Sequence, residues 1–139
     1  MELSSALLHT TELKMLLLAS ILGLAQLILA THAATKARGV NWNMSARDKT
    51  PPPLEGVAAR LDRAFKNFQE TFPFFIGAVV VVQMLSKNSS MTILGAQLYL
   101  YARVVYVPVY AFGIPVVRTL IWLVSMVGIG MLLWAGCFN

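Results

Sequence analysis

Arg60, Arg63, Asn67 and Glu70 follow one another at intervals of three, four and three in the stretch RLDRAFKNFQETFPFF. At about 100° per residue they fall within an arc of roughly 80°, one face of a helix. Tyr99, Arg103, Tyr106 and Tyr110 repeat the design at intervals of four, three and four. With Arg118 nearby in sequence, the two ridges offer a surplus of guanidinium, one carboxylate, one amide and several phenols. A guanidinium fork suits a carboxylate or phosphate. The set is therefore a surplus of cation that suits an anion. A plainer use of the same residues is a buried Glu70–Arg103 ion pair, with the outer arginines reaching for lipid headgroups. The residues alone leave both open.

The elements that carry these ridges are apolar. Of 139 residues 58% are hydrophobic and 12% charged, about half the charged share of a soluble domain. The composition predicts an all-α membrane protein, one domain over 1–139. Four apolar stretches, about 13–34, 57–85, 91–112 and 115–136, reach the ~20 residues that cross a bilayer. They predict a bundle of four transmembrane helices. The connector 35–56 carries three successive prolines and a glycine, which exclude a continuous helix. Glu2 and Glu12 precede the first stretch with no basic leader, so it is expected to stay as a helix. The single cysteine, Cys137, allows no internal disulfide and no paired-cysteine metal site.

The net charge of +5 does not point to nucleic acid, because the basic residues lie in the connector and at helix ends rather than along a soluble face. Lys36, Arg38, Arg47 and Lys49 fall in the connector, against Lys87 in the loop on the opposite side. The positive-inside rule then predicts a cytoplasmic connector. Counted at 1.5 Å per residue, Glu70 lies roughly 8 Å and Arg103 roughly 12 Å inside that face of a ~30 Å core. An arginine at mid-bilayer costs about 2.5–3.5 kcal/mol, so neither is expected to face lipid. Arg60, Arg63 and Arg118 are shallow enough to snorkel. Pro73 and Pro108 each remove a helical hydrogen bond and are candidate kinks.

Two blocks carry a family resemblance. The run R-L-D-R-A-F-K-N-F-Q-E-T-F-P-F and the run Y-L-Y-A-R-V-V-Y-V-P-V-Y-A-F-G-I-P-V-V-R-T resemble the second helix, and the third helix with the start of the fourth, of the MAPEG family, membrane-associated proteins in eicosanoid and glutathione metabolism. The resemblance implies a homotrimer with a glutathione site between protomers near the cytoplasmic face. It implies that Arg63, Asn67 and Glu70 hold glutathione, that Tyr106 and Tyr110 line its pocket, and that Arg118 activates the thiol. Arg60 and Arg103 match recurrent basic positions. His32 stands about where relatives carry an arginine that reaches a neighbour's glutathione, and Thr119 resembles the serine of the prostaglandin-forming branch. Thr71 departs from the tyrosine of the leukotriene-forming branch. His9 has no partner pattern, and Tyr99 and Tyr101 suit packing or an interface equally.

The expected activity is conjugation or reduction of lipophilic electrophiles by glutathione thiolate, with glutathione as cosubstrate and no metal. Expected partners are further copies of the chain, membrane lipid and a lipophilic small molecule. Short connectors and absent sorting signals suggest a bacterial inner membrane. The alternative is a non-catalytic lipid-binding or scaffold member of the same family. A small multidrug-type transporter would also use an intramembrane glutamate, but would not need so many cations on one side.

Overall fold

A computed structural model describes residues 10–138; His9 lies outside them. The described chain is helical, with no strand among those residues. Helix α1 spans Thr11–Arg38, a short α2 Val40–Asn43, α3 Gly56–Met84, α4 Ser90–Ala111 and α5 Pro115–Phe138. The connector is thus shorter and better ordered than its composition suggests. Gly39, at φ 91, ends α1 and starts α2, a left-handed turn that suits glycine. Pro73 and Pro108 both lie inside unbroken helices.

Among the described residues three helices, α1, α4 and α5, are long and apolar enough to cross a membrane. Helix α3 has the length but not the composition, because Arg60, Asp62, Arg63, Lys66 and Glu70 crowd its first half. Of the four expected spans α3 is therefore the one that composition does not support, and the polar ridge itself is the reason. Large apolar side chains such as Leu24, Ile28, Phe74, Val116 and Leu120 stand exposed. Surfaces of that kind suit lipid or a neighbouring chain rather than water.

Polar contacts fix the ends of the bundle. At one end Thr10 Oγ1 donates to Gln83 Oε1 at 2.9 Å, and the buried Glu12 accepts from Thr92 Oγ1. Ser89 caps α4 through a reciprocal box with Thr92, which satisfies amide donors that a helix start leaves unpaired. These contacts gather the start of α1, the end of α3 and the start of α4. The opposite end therefore holds the start of α3, the end of α4 and the start of α5, where both polar ridges converge.

Between the ends the core is tight. Phe75 stacks on Tyr99 with ring centroids 4.0 Å apart, and Val79, Val82, Ala96 and Leu132 are buried around them. Helices α4 and α5 cross at glycines. A Cβ on Gly128 would stand 2.5 Å from the Gly95 carbonyl oxygen, and one on Gly95 would stand 2.8 Å from that of Gly128. Close backbone approach at small residues is how membrane helices gain dispersion contacts where no hydrophobic force drives them together.

Candidate functional site

The ridge of α3 lies on the arc beside the one that the helix buries. Ala64, Phe68, Thr71 and Phe75 are buried, spaced four, three and four, and this turns Arg63, Asn67 and Glu70 away from the core. Helix α4 presents Tyr106 and Tyr110 towards them. The first turns of α5 supply Arg118, Thr119 and Trp122. All eight residues, with Lys66, line one open cavity of about 440 Å³, within the range of small-ligand sites.

Tyr110 organises the cationic side of that cavity. Arg63 Nε donates to its hydroxyl at 3.3 Å, and the Arg63 guanidinium lies 6.0 Å from the ring centroid. The Arg118 guanidinium sits 4.7 Å over the same ring. Such stacking fixes a guanidinium plane without using its N–H donors. The ring thus holds two cations that would otherwise repel, and leaves donors on both for a ligand. Among the described residues the one ion pair joins Lys66 Nζ to Asp62 Oδ2 at 2.9 Å. Neither Arg63, Arg118 nor Glu70 is neutralised by it. Beside them Trp122 Nε1 is buried with no partner among the described residues, one more donor at the cavity wall.

The plainer Glu70–Arg103 ion pair is absent. Arg103 is 1% exposed, and its Nη1 donates to Asn67 Oδ1 at 2.7 Å. Its plane lies 5.6 Å from the Tyr99 centroid and 5.1 Å from that of Tyr106. Its Nε and Nη2 are buried without partners among the described residues. Glu70 sits instead on the exposed rim of the cavity. Arg103 is bonded instead to Asn67, one turn before Glu70 on α3, and the neutral amide there leaves the carboxylate free. Arg103 therefore backs the cavity rather than lining it, and it fixes the Asn67 amide by its oxygen so that the amide nitrogen can face outward.

Arg60 goes elsewhere too. Its Nε donates to the Ala111 carbonyl at 2.8 Å, one of the acceptors that the end of α4 leaves open. It is not among the cavity-lining residues. His32 is exposed on α1 and also stands apart from the cavity. Tyr99 is fully buried, its hydroxyl 3.2 Å from Thr71 Oγ1, whereas Tyr101 faces outward at 58% exposure. Cys137 is exposed in the last turn of α5, and no group of three metal-ligating side chains occurs among the described residues.

Two lining residues, Lys66 and Trp122, escape a reading of the ridges alone. Lys66 stands three after Arg63 and four before Glu70, and Trp122 four after Arg118, so helical spacing could have found both. The comparison with known proteins bears on the whole arrangement. The profile of the MAPEG family matches residues 15–138, which include every residue of the cavity. No curated protein matches the chain.

Proposed function

The chain belongs to the MAPEG family, and on that premise we propose that it is an integral membrane glutathione transferase or peroxidase acting on lipophilic electrophiles. The observation that carries this reading is the single cavity joining Arg63, Lys66, Asn67, Glu70 and Arg118. Glutathione has two carboxylates, one ammonium, two peptide groups and a thiol. Arg63 suits a carboxylate, Glu70 the ammonium, and Asn67 a peptide carbonyl.

Arg118, held over Tyr110, is assigned to the thiol. A thiol of pKa ~8.5 is mostly protonated at neutral pH, and lowering it by ~2 units takes about 2.7 kcal/mol of preferential thiolate stabilisation. In transfer, the thiolate sulfur forms a bond to the electrophilic carbon and the leaving group departs with the bonding pair; the thiol proton has already gone to solvent. In peroxide reduction, the sulfur takes the terminal oxygen, the lipid leaves as an alcohol, and a second glutathione completes the disulfide with loss of water. The electrophile arrives laterally from the bilayer.

The proposal extends to a homotrimer of four-span protomers, with α3 crossing the membrane behind neighbouring copies and His32 offered to one of them. The exposed apolar faces of α1 and α5 support such packing. The connector is placed in the cytoplasm, as its basic residues favour. The test is a titration of detergent-purified protein with glutathione, followed by ultraviolet absorbance of the thiolate and by calorimetry. A saturable thiolate signal supports the reading. Binding with no thiolate, or no binding at all, overturns it in favour of a non-catalytic lipid-binding or scaffold member.

A further inference from the structure

Trp122 supplies a donor at the cavity wall that the binding of glutathione leaves unused. It stands on α5 one helical turn after Arg118, about 6 Å further from the connector end at 1.5 Å per residue. Its Nε1 is buried and has no partner among the described residues, although a buried indole N–H usually finds one. The ring packs against the cluster of Ala64, Tyr106 and Tyr110. The Arg118 guanidinium lies 4.7 Å from the centroid of the same Tyr110 ring. One phenol thus helps to seat both the cation assigned to the sulfur and the indole one turn deeper.

Depth sets what Trp122 can meet. Arg63, Asn67 and Glu70, assigned to glutathione, stand on α3, and the sulfur is assigned to Arg118 at the start of α5. Past Trp122, α5 continues through Met126, Ile129 and Leu132, apolar residues that suit a hydrocarbon tail. Two hydroxyls flank the indole, and both are engaged. Thr119 Oγ1 donates to the Pro115 carbonyl at 3.2 Å, and Ser125 Oγ to the Trp122 carbonyl at 2.7 Å. On the α5 wall the indole N–H is therefore the free neutral donor, placed where glutathione ends and the electrophile begins. An indole N–H donates a hydrogen bond without serving as an acid. It suits an oxygen that gains charge in the reaction but takes no proton there.

We infer that Trp122 Nε1 is the oxyanion donor for a lipophilic α,β-unsaturated carbonyl, the class of electrophile that this site takes. The inference rests on the glutathione reading above. The thiolate sulfur bonds to the β-carbon, the alkene pair becomes the new bond between the α-carbon and the carbonyl carbon, and the carbonyl pair moves onto oxygen. The indole N–H holds that oxyanion. Solvent then protonates the α-carbon, the carbonyl re-forms, and no group leaves. A donor fixed by packing before the reaction has no reorganisation to make as charge develops. The other chemistries make less use of it. Peroxide cleavage releases an alkoxide that needs a proton, and displacement at a saturated carbon puts the charge on the leaving group.

The test compares conjugation of nonenal, an α,β-unsaturated aldehyde, with conjugation of hexyl iodide, whose displacement charges no oxygen. Detergent-purified wild type and Trp122→Phe are assayed at saturating glutathione, and rates are normalised to the thiolate absorbance, which counts working sites. The phenylalanine keeps an aromatic ring and removes the N–H. The ratio of kcat/KM for nonenal to that for hexyl iodide should fall about 100-fold, the loss that one oxyanion donor carries. Trp122→His, which keeps a ring N–H, should recover part of the ratio. An unchanged ratio in Trp122→Phe, or an equal loss on both electrophiles, would overturn the assignment while leaving the glutathione reading in place. So would a wild type that forms thiolate but does not conjugate nonenal. Absence of thiolate in the wild type would overturn the glutathione reading and this assignment together.

Discussion

Removing the Arg118 guanidinium should return bound glutathione to the acidity of the free thiol. Arg118 is half-buried on the first turn of α5, and the Tyr110 ring 4.7 Å away fixes its plane. At ~4 Å from a sulfur, with an effective dielectric of ~20, one positive charge contributes about 4 kcal/mol to the thiolate. Solvent at the open mouth takes back part of that, and about 2.7 kcal/mol suffices for two pH units. The sign follows from charge: a nearby cation favours the anionic form, so the thiol midpoint falls from ~8.5 to ~6.5 and thiolate appears at lower pH. At pH 7 roughly three quarters of bound glutathione is then ionised in wild type, against about 3% in Arg118→Ala. The assay is ultraviolet thiolate absorbance across a pH series, at glutathione concentrations shown by calorimetry to saturate each protein. Arg118→Ala should shift the midpoint upward by about two units, and Arg118→Lys should restore most of the difference, because it keeps the charge. An unchanged midpoint in Arg118→Ala, with glutathione still bound, would refute the assignment of Arg118 to the sulfur.

Glu70→Gln should weaken glutathione binding by calorimetry while leaving helical circular dichroism and the melting temperature unchanged, because Glu70 makes no ion pair among the described residues; unfolding instead would show a structural role. Asn67→Leu should destabilise the protein by about 1.5–3 kcal/mol, since it strands the buried Arg103 donor now held at 2.7 Å. The double variant Asn67→Leu/Arg103→Met should recover part of that loss in thermal melts, because it removes the stranded charge as well; additive losses would contradict this. Gly128→Ala should cost about 1–3 kcal/mol, as its Cβ meets the Gly95 carbonyl, whereas Gly130→Ala, with open space around it, should leave the melting temperature unchanged. Gln26→Leu should be neutral or stabilising, since both amide atoms of Gln26 are buried without partners among the described residues; a clear loss of stability would mean that another copy of the chain satisfies them.

How much of this was legible in the sequence depends on what decides each position. Angular position on a helix follows from spacing, so the intervals in α3 were enough to set Arg63, Asn67 and Glu70 on one face. Helix extent followed from apolar length and from breakers, and the ends moved by only a few residues, most at the connector, where α1 continues to Arg38. Spacing did not say which residues of a ridge would be free for a ligand. Arg60 and Arg63 share a face, but Arg60 stands level with the end of α4 and takes the Ala111 carbonyl, while Arg63 meets only a phenol. Arg103 shares its ridge with Tyr106 and Tyr110 but lies deeper, against Asn67. Both outcomes are set by the relative height of two antiparallel helices, which no single helix records.

That height also decides what the cations can do. A guanidinium bound to a carboxylate is largely spent, since its charge is matched and its fork is full. A guanidinium stacked on a phenol ring keeps both charge and donors. In this chain the arginines of the cavity rest on Tyr110, the deep one lies between Tyr99 and Tyr106, and those of the connector flank Trp42. The only carboxylate in ion-pair contact among the described residues is that of Asp62, and its partner is a lysine. Aromatic rings thus carry the positive side chains that acids usually hold, and the protein enters the membrane with its cations placed but not neutralised. A chain built for internal stability alone would gain more by pairing them with carboxylates or replacing them with apolar residues. Leaving those of the cavity unpaired is consistent with the anionic ligand proposed for it.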